Sequence, residues 1–227
     1  HVWRLVRWAR LGRRPPPPLH LPPPLRPATA GAMQAALLLR DNLAHRHDIE
    51  YAYLDAIRGA RDEILIANAY FLPGRRFRQA LLLAARRGVK VGLLLQGRSD
   101  HALFHYATQA LYDRMLAAGV RVYEYDKAEL HAKVAVVDDD WATVGSSNID
   151  PFSLLLAREA NLVVRDAGFA AELRASLAGM LTGAAREVRI EDQRQRPWYA
   201  RLASVLAYSA VRFMLGVTRY AGKQYSG

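Results

Sequence analysis

The chain has 227 residues and no cysteine, which excludes disulfides, thiolate zinc sites and cysteine nucleophiles. Hydrophobic residues make up 52% of it, enough to bury a full core and too many for a disordered chain. The formal charge of +11 points to anionic partners: nucleic acid, phospholipid or another phosphate.

The charge is unevenly placed. Residues 1–33 carry six Arg and no acid, residues 34–183 carry 18 basic and 18 acidic residues, and residues 184–227 carry eight basic and three acidic ones. A neutral body between basic ends suits docking to an anionic surface; the plainer alternative is that the arginines keep the chain soluble. Eight of the 11 prolines lie between Pro15 and Pro27. Proline fixes φ and lacks an N–H, so residues 1–33 read as a stiff, basic, Pro-rich linker. The opening has no secretory signal pattern. A linker so close to a first residue that is His1 rather than Met leads us to expect a further domain upstream.

From Met33 the pattern becomes regular. A helix is predicted over Asp48 to Ala60, with Ile49, Ala52, Tyr53, Ala56 and Ile57 on one face. Glu63 to Tyr70 reads as a buried strand ended by Pro73-Gly74. Arg75 to Arg87 is a basic amphipathic helix stopped by Gly88, and Val89 to Leu95 a second strand. His101 to Ala118 is predicted as one helix stopped by Gly119, and Val120 to Tyr125 as a third strand. Leu130 to Val137, Ala142 to Gly145 and Ala160 to Val164 are strand-like, and Phe169 to Leu181 is a closing helix. Strands alternating with helices argue for an α/β layered domain over residues 34–183, and the short connections between later strands make part of the sheet antiparallel. Residues 184–227 then form a basic tail. Within it, Trp198 to Val217 is the longest apolar tract, with Arg201 and Arg212 inside it. Leu202, Val205, Leu206, Ser209 and Phe213 share one face, which fits an interfacial amphipathic helix better than a membrane span; packing on another domain is the alternative.

The chemistry concentrates in His131-Ala-Lys133-Val-Ala-Val-Val-Asp138 and Gly145-Ser146-Ser147-Asn148. Residues two apart on a strand face the same way, so His131 and Lys133 are expected to project together. An imidazole beside an ammonium suits attack on a phosphodiester: the ring nitrogen is the nucleophile, and the cation stabilises charge on the non-bridging oxygens. Ser146 and Asn148 can add neutral hydrogen bonds after a tight turn. A carboxylate should hold the imidazole in one tautomer, and Glu159, at the start of the next strand, is the candidate. Taken singly, each residue has a duller reading as a structural His, a snorkelling Lys or a solvated turn; the joint spacing lifts the signal.

HxKxxxxD followed by six residues and GSxN resembles the signature of the phospholipase D superfamily, and every position is matched here. Arg40-Asp41-Asn42, His45-Arg46, Ile49-Glu50, Asn68 to Gly74, Leu94 to Gly97 and Leu154 to Asn161 further resemble the second half of bacterial cardiolipin synthases, nearest the B type. The resemblance implies a phospholipase D-like layered fold, a mixed β-sheet flanked by helices, with one HxKxxxxD half-domain. It implies a phosphatidyltransferase that joins two phosphatidylglycerols into cardiolipin and glycerol through a phosphatidyl-histidine intermediate. By position His131 is a catalytic His, Lys133 a phosphate ligand, Asp138 a supporting motif residue and Glu159 the residue that orients His131, while Ser146 and Asn148 line the pocket. It implies no cofactor or metal, because lysines and paired imidazoles take the place of a Lewis acid, and a peripheral place on the cytoplasmic side of a bacterial inner membrane. The superfamily builds one site from two such motifs, and only one of the seven His here has a Lys two residues on. The second motif must come from an upstream half or from a second copy in a homodimer. A phospholipase D-like phosphodiesterase or nuclease using the same residues, or an inactive membrane-binding half, are the rival readings. Asn42, His45 and Arg46 either contact a headgroup or cap the following helix, and Arg75, Arg76 and Arg78 either bind lipid phosphate or form a solvated face.

Overall fold

The computed structural model describes residues 33–41, 45–97, 102–151, 153 and 157–224, with side chains to Met214; the expected linker lies almost wholly outside them. In chain order the elements are β1 (Gln34–Arg40), α1 (Asp48–Gly59), β2 (Glu63–Asn68), α2 (Arg75–Arg86), β3 (Lys90–Gln96), α3 (Ala102–Gln109), α4 (Tyr112–Ala117), β4 (Arg121–Tyr125), β5 (Lys133–Val137), β6 (Trp141–Gly145), β7 (Glu159–Arg165), α5 (Ala167–Ala184), β8 (Ala185–Val188), α6 (Ile190–Gln195) and α7 (Trp198–Gln224).

The eight strands form one sheet in the order β1-β7-β6-β5-β2-β3-β4-β8. β2, β3 and β4 are parallel neighbours, and every other pairing is antiparallel. The centre is apolar on both faces, as expected of strands covered on two sides. One face carries Ile64, Ile66, Val91, Leu93, Ala135 and Val137. It is buried under Ile49, Tyr53 and Ile57 of α1, Phe77, Leu81 and Ala84 of α2, Tyr112 and Met115 of α4, and Ala207 and Val211 of α7. The other face carries Leu65, Ala67, Leu94, Val136 and Ala142 and meets Ala170 and Leu177 of α5. The mixed α/β layered fold expected from the sequence is therefore present.

Several elements differ from the sequence reading. β1 was not foreseen: Gln, Ala, Leu and Arg favour helix, and the strand exists because β7 pairs with it over its whole length. The expected helix from His101 breaks into α3 and α4. Residues 184–227 do not stand apart from the body. β8 joins the sheet beside β4, where Glu124 and Arg186 are register partners and ion-pair, Arg121 and Glu187 pair at 2.9 Å, and Val188 buries against Val122. Helix α7 packs along α3.

The acidic turn after β5 is structural. Asp138 has φ 48°, a left-handed conformation that Asp tolerates better than most residues. Its carboxylate accepts from the backbone N–H groups of Arg61 (2.9 Å), Asp62 (2.9 Å) and Glu63 (3.0 Å), and so fixes the entry into β2. Asp139 and Asp140 pair with Arg174 and Arg165. Burial works against the Asp138 charge, but the three amides more than offset it and hold the carboxyl below its ordinary range. Replacing Asp138 by Asn should cost about 1–3 kcal/mol of stability at neutral pH, read by urea unfolding. A depressed native pKa stabilises above the unfolded carboxyl's pKa of about 4. The gap between parent and variant should therefore close as pH falls through the native value.

Candidate active site

The parallel strands β2, β3 and β4 end, β5 begins, β6 ends and β7 begins at one edge of the sheet. This is the carboxyl edge, where open α/β sheets place their sites. Register lines up Arg40 with Glu159, Gly145 with Asn161 and Asn68 with Lys133. These residues share the alternation of Leu38, Val163, Ile66 and Ala135, all part of the larger core. The apolar face of the sheet thus ends in a polar row.

Lys133 is only 6% exposed. Its Nζ donates to the His131 carbonyl at 3.0 Å, and burial lowers its pKa against the opposing pull of Glu159, Asp150 and Glu129. Asn68 is fully buried beside it. The Asn68 Oδ1 accepts from the Ile149 N–H at 3.1 Å, while its Nδ2 has no hydrogen-bond partner among the described residues. Asn161 is buried next to Gly145, with Oδ1 accepting from the Ser147 N–H (3.3 Å) and Nδ2 donating to Thr143 Oγ1 (3.3 Å). The Ser146 hydroxyl donates to Glu159 and accepts from the Ala160 N–H at 3.1 Å. Asn148 Oδ1 accepts from the Tyr70 N–H at 3.4 Å.

Five of the six expected residues, His131, Lys133, Ser146, Asn148 and Glu159, therefore gather at this edge. Asp138 does not: it stands at the far end of β5. The pairing of His131 with Lys133 also differs from the strand reading. β2 ends at Asn68, so the ladder runs out at Lys133 apart from the Ala69 N–H to Ala132 carbonyl bond. His131 lies ahead of the strand and is exposed, whereas Lys133 turns inward. Glu159 is engaged by Ser146, and no described residue hydrogen-bonds the His131 ring. His45 bonds the Asp48 side chain at 2.7 Å and its N–H donates to Asp41, but it does not cap the helix, whose N-cap is His47 without a side-chain cap bond; Asn42 lies outside the described residues. Arg78 donates to Tyr208 of α7 rather than standing free for phosphate. Among the described residues no three His, Asp or Glu side chains gather as metal ligands.

Sequence reasoning gave no role to Asn68, Arg40 and Asn161. The signal was there for Asn68: a polar residue closing the apolar strand Glu-Ile-Leu-Ile-Ala, at the end where such sheets hold their ligands.

A family model described as the cardiolipin synthase, PLD-like domain matches residues 53–181. The chain belongs to that family. It is 45% identical to cardiolipin synthase B of Escherichia coli K12 over 182 residues, 80% of this chain and 44% of that protein. It is 38% identical to cardiolipin synthase 2 of Staphylococcus epidermidis over 126 residues, 56% of this chain and 26% of that one. The chain thus spans less than half the length of these curated relatives. Among solved structures, phosphatidylserine synthase of Haemophilus influenzae superposes with a TM-score of 0.64 at 12% identity, covering 80% of this chain and 47% of that one. Nuc, a phospholipase D family member from Salmonella typhimurium, superposes with a TM-score of 0.58 at 20% identity over 70% of this chain and 99% of that one. These two likenesses establish the phospholipase D-like fold.

Gly145 in the family motif has a steric reason. A Cβ there would stand 2.2 Å from Asn161 Oδ1 and 2.6 Å from the Ala160 carbonyl oxygen, and the latter is backbone that cannot swing away. Gly145→Ala should cost about 1–3 kcal/mol in thermal unfolding and displace Asn161, whereas Ala at the unobstructed Gly74 should meet no such clash.

Proposed function

We propose that this domain supplies one catalytic half of a phosphatidyltransferase that makes cardiolipin from two phosphatidylglycerols. His131 attacks phosphorus through a ring nitrogen. The P–N bond forms as the P–O bond to glycerol breaks, and the leaving oxygen takes a proton from the second motif's His. The hydroxyl of a second phosphatidylglycerol then passes its proton back to the second motif's His as its oxygen bonds phosphorus and the P–N bond breaks, giving cardiolipin and restoring both imidazoles. Lys133 and the unpartnered Asn68 Nδ2 face the non-bridging oxygens. Ser146 and Asn148 border the pocket. Glu159 holds Ser146 and balances the cations of Lys133 and Arg40, and is proposed to orient the imidazole. The observation that carries the reading is a buried lysine opposite a buried amide donor that has no partner among the described residues, two residues from an exposed histidine.

The second motif comes from another HxKxxxxD-bearing half, in the same polypeptide or in a second copy. Two features support that arrangement. The curated relatives are more than twice as long as the matched stretch. No described element covers the sheet face beyond α5, where the register partners Leu37, Leu162 and Val144 are all exposed, Leu37 by 65%. Helix α5 is apolar nearly all round, with Glu172 and Arg174 its only charged residues, yet it buries only Ala170 and Leu177. An all-round apolar helix is ordinarily covered on both sides. An anionic phospholipid substrate supports a place at a membrane surface, which the proposal takes to be the cytoplasmic side of the inner membrane.

The test is an assay with phosphatidylglycerol vesicles, run on the chain alone and mixed with a second HxKxxxxD-bearing half. Cardiolipin and glycerol are expected from the parent and none from His131→Ala. Phosphatidic acid in place of cardiolipin would reassign the site to hydrolysis, and undiminished product from His131→Ala would sink the proposal. Lys133→Met should lose about 10²–10³-fold in rate. Because burial lowers the Lys133 pKa, the active ammonium is lost as pH rises through the lowered value. The alkaline limb of the pH–rate profile should therefore lie below the ~10.4 of an ordinary lysine.

A further inference from the structure

Helix α7 has two apolar sides, and the body of the protein uses one. Ser204, Ala207 and Val211 are buried against it, and the hydroxyl of half-buried Tyr208 accepts from Arg78 Nη1 at 3.0 Å. At 3.6 residues per turn the opposite arc carries Trp198, Leu202, Leu206 and Phe213, flanked by Tyr199 and Val205. These side chains stand in solvent: Trp198 is 75% exposed, Leu206 59% and Phe213 74%. An exposed apolar stripe of this extent, with Ser209 its one polar member, marks an interaction surface.

Its electrostatic setting selects the partner. From Gln193 to the end the sequence has six Arg and Lys and no acid. Arg201 and Arg212 lie on the same flank of the stripe, and Arg212 sits over the Tyr208 ring at 5.9 Å. An apolar stripe edged only by arginines is complementary to a surface that is anionic at the level of the headgroups and apolar beneath them. Among the described residues no helix is long and apolar enough to cross a membrane, so this one would lie along the surface.

The seat of α7 fits such a role. Arg196 bonds both Ser204 of α7 and Gln109 at the end of α3, while Tyr208, further along, meets Arg78 in the first turn of α2. Helices α2 and α3 both start at the carboxyl edge of the sheet, where Lys133 and Ser146 lie. Helix α7 therefore runs toward the edge that takes the phosphate.

We propose that the outward face of α7 is the surface on which this domain docks to an anionic phospholipid bilayer. Trp198, Leu202, Leu206 and Phe213 enter the boundary between headgroups and acyl chains, and Arg201 and Arg212 meet lipid phosphates. The proposal rests on the reading that the substrate phosphate comes from a phospholipid.

The experiment is co-sedimentation of the full chain with vesicles of phosphatidylcholine alone or mixed with phosphatidylglycerol, at about 0.15 M salt. The parent should bind the mixed vesicles and bind pure phosphatidylcholine weakly. The triple variant Leu202→Ser, Leu206→Ser, Phe213→Ser should lose about ten-fold or more in partitioning, with circular dichroism and Tm unchanged because these side chains do not pack on the body. Arg201→Gln with Arg212→Gln should lose a comparable amount and flatten the salt dependence. Failure of the parent to bind either vesicle, or equal binding by parent and triple variant, overturns the proposal. A triple variant that binds vesicles normally but loses self-association assigns the stripe to a protein partner and also overturns it. Turnover of a water-soluble short-chain phosphatidylglycerol, measured with the second HxKxxxxD-bearing half present, separates the two readings. The triple variant should turn it over like the parent, whereas His131→Ala should not, and loss of turnover in the parent would strike the catalytic reading alone.

Discussion

Lys133 is an ammonium buried at the end of an otherwise apolar strand, and such a charge is tolerated only where its surroundings answer it. The site can be followed outward from that requirement. One hydrogen bond goes to the His131 carbonyl, which ties the segment ahead of β5 to the strand and leaves the imidazole outside. Glu159 brings an opposing charge from the start of β7, and Asp150 and Glu129 add to it. Asn68 replaces what would be another aliphatic residue of β2, and its free amide donor has no reason to be buried there unless an acceptor arrives. Room for the row comes from Gly145, whose missing side chain lets Asn161 lie across β6.

The two ends of β5 divide the work. At the far end, Asp138 gathers the amides of Arg61, Asp62 and Glu63 and so sets where β2 begins. From there the antiparallel register runs without interruption from Ile64 opposite Val137 to Asn68 opposite Lys133. A slip of one residue would send Asn68 to the other face of the sheet, away from Lys133. The spacing between Lys133 and Asp138 therefore expresses a strand length. The motif's carboxylate binds the amides at the start of β2 and so holds the register that brings Asn68 and Lys133 together.

This division explains what could be read in the sequence. Strands β2 to β7 and helices α1, α2 and α5 follow local hydrophobic period and glycine stops; Gly88 and Gly119, at φ 93° and 88°, are the positive-φ positions after α2 and α4. β1 and β8 have no such local signal. β1 is written in helix-forming residues and made a strand by β7, and β8 is held by Glu124 and Val122 of a strand remote in sequence. His131, Lys133, Ser146, Asn148 and Glu159 were legible as a motif. The buried orientation of Lys133, the exposure of His131 and the engagement of Glu159 by Ser146 were not. Each depends on where a neighbouring strand stops, which periodicity within one segment cannot tell.

Two apolar surfaces remain outside the core, and charge tells them apart. The bare sheet face beside α5 is served by a helix with one Glu and one Arg, so nothing there draws an anionic surface, and its open strands offer a broad, flat area suited to another folded layer. Helix α7 has cations and no acids, and its stripe is one helix wide, the shape of an element that lies on a surface rather than within a protein core. The proposed transfer between two lipids would use both. In that proposal the imidazole and its proton-transfer partner meet across protein, while both substrates keep their acyl chains in a bilayer. With the polar row at the carboxyl edge and α7 climbing toward that edge, the two proposals are geometrically compatible: a second motif can be met on one side without lifting either proposed lipid far from the membrane.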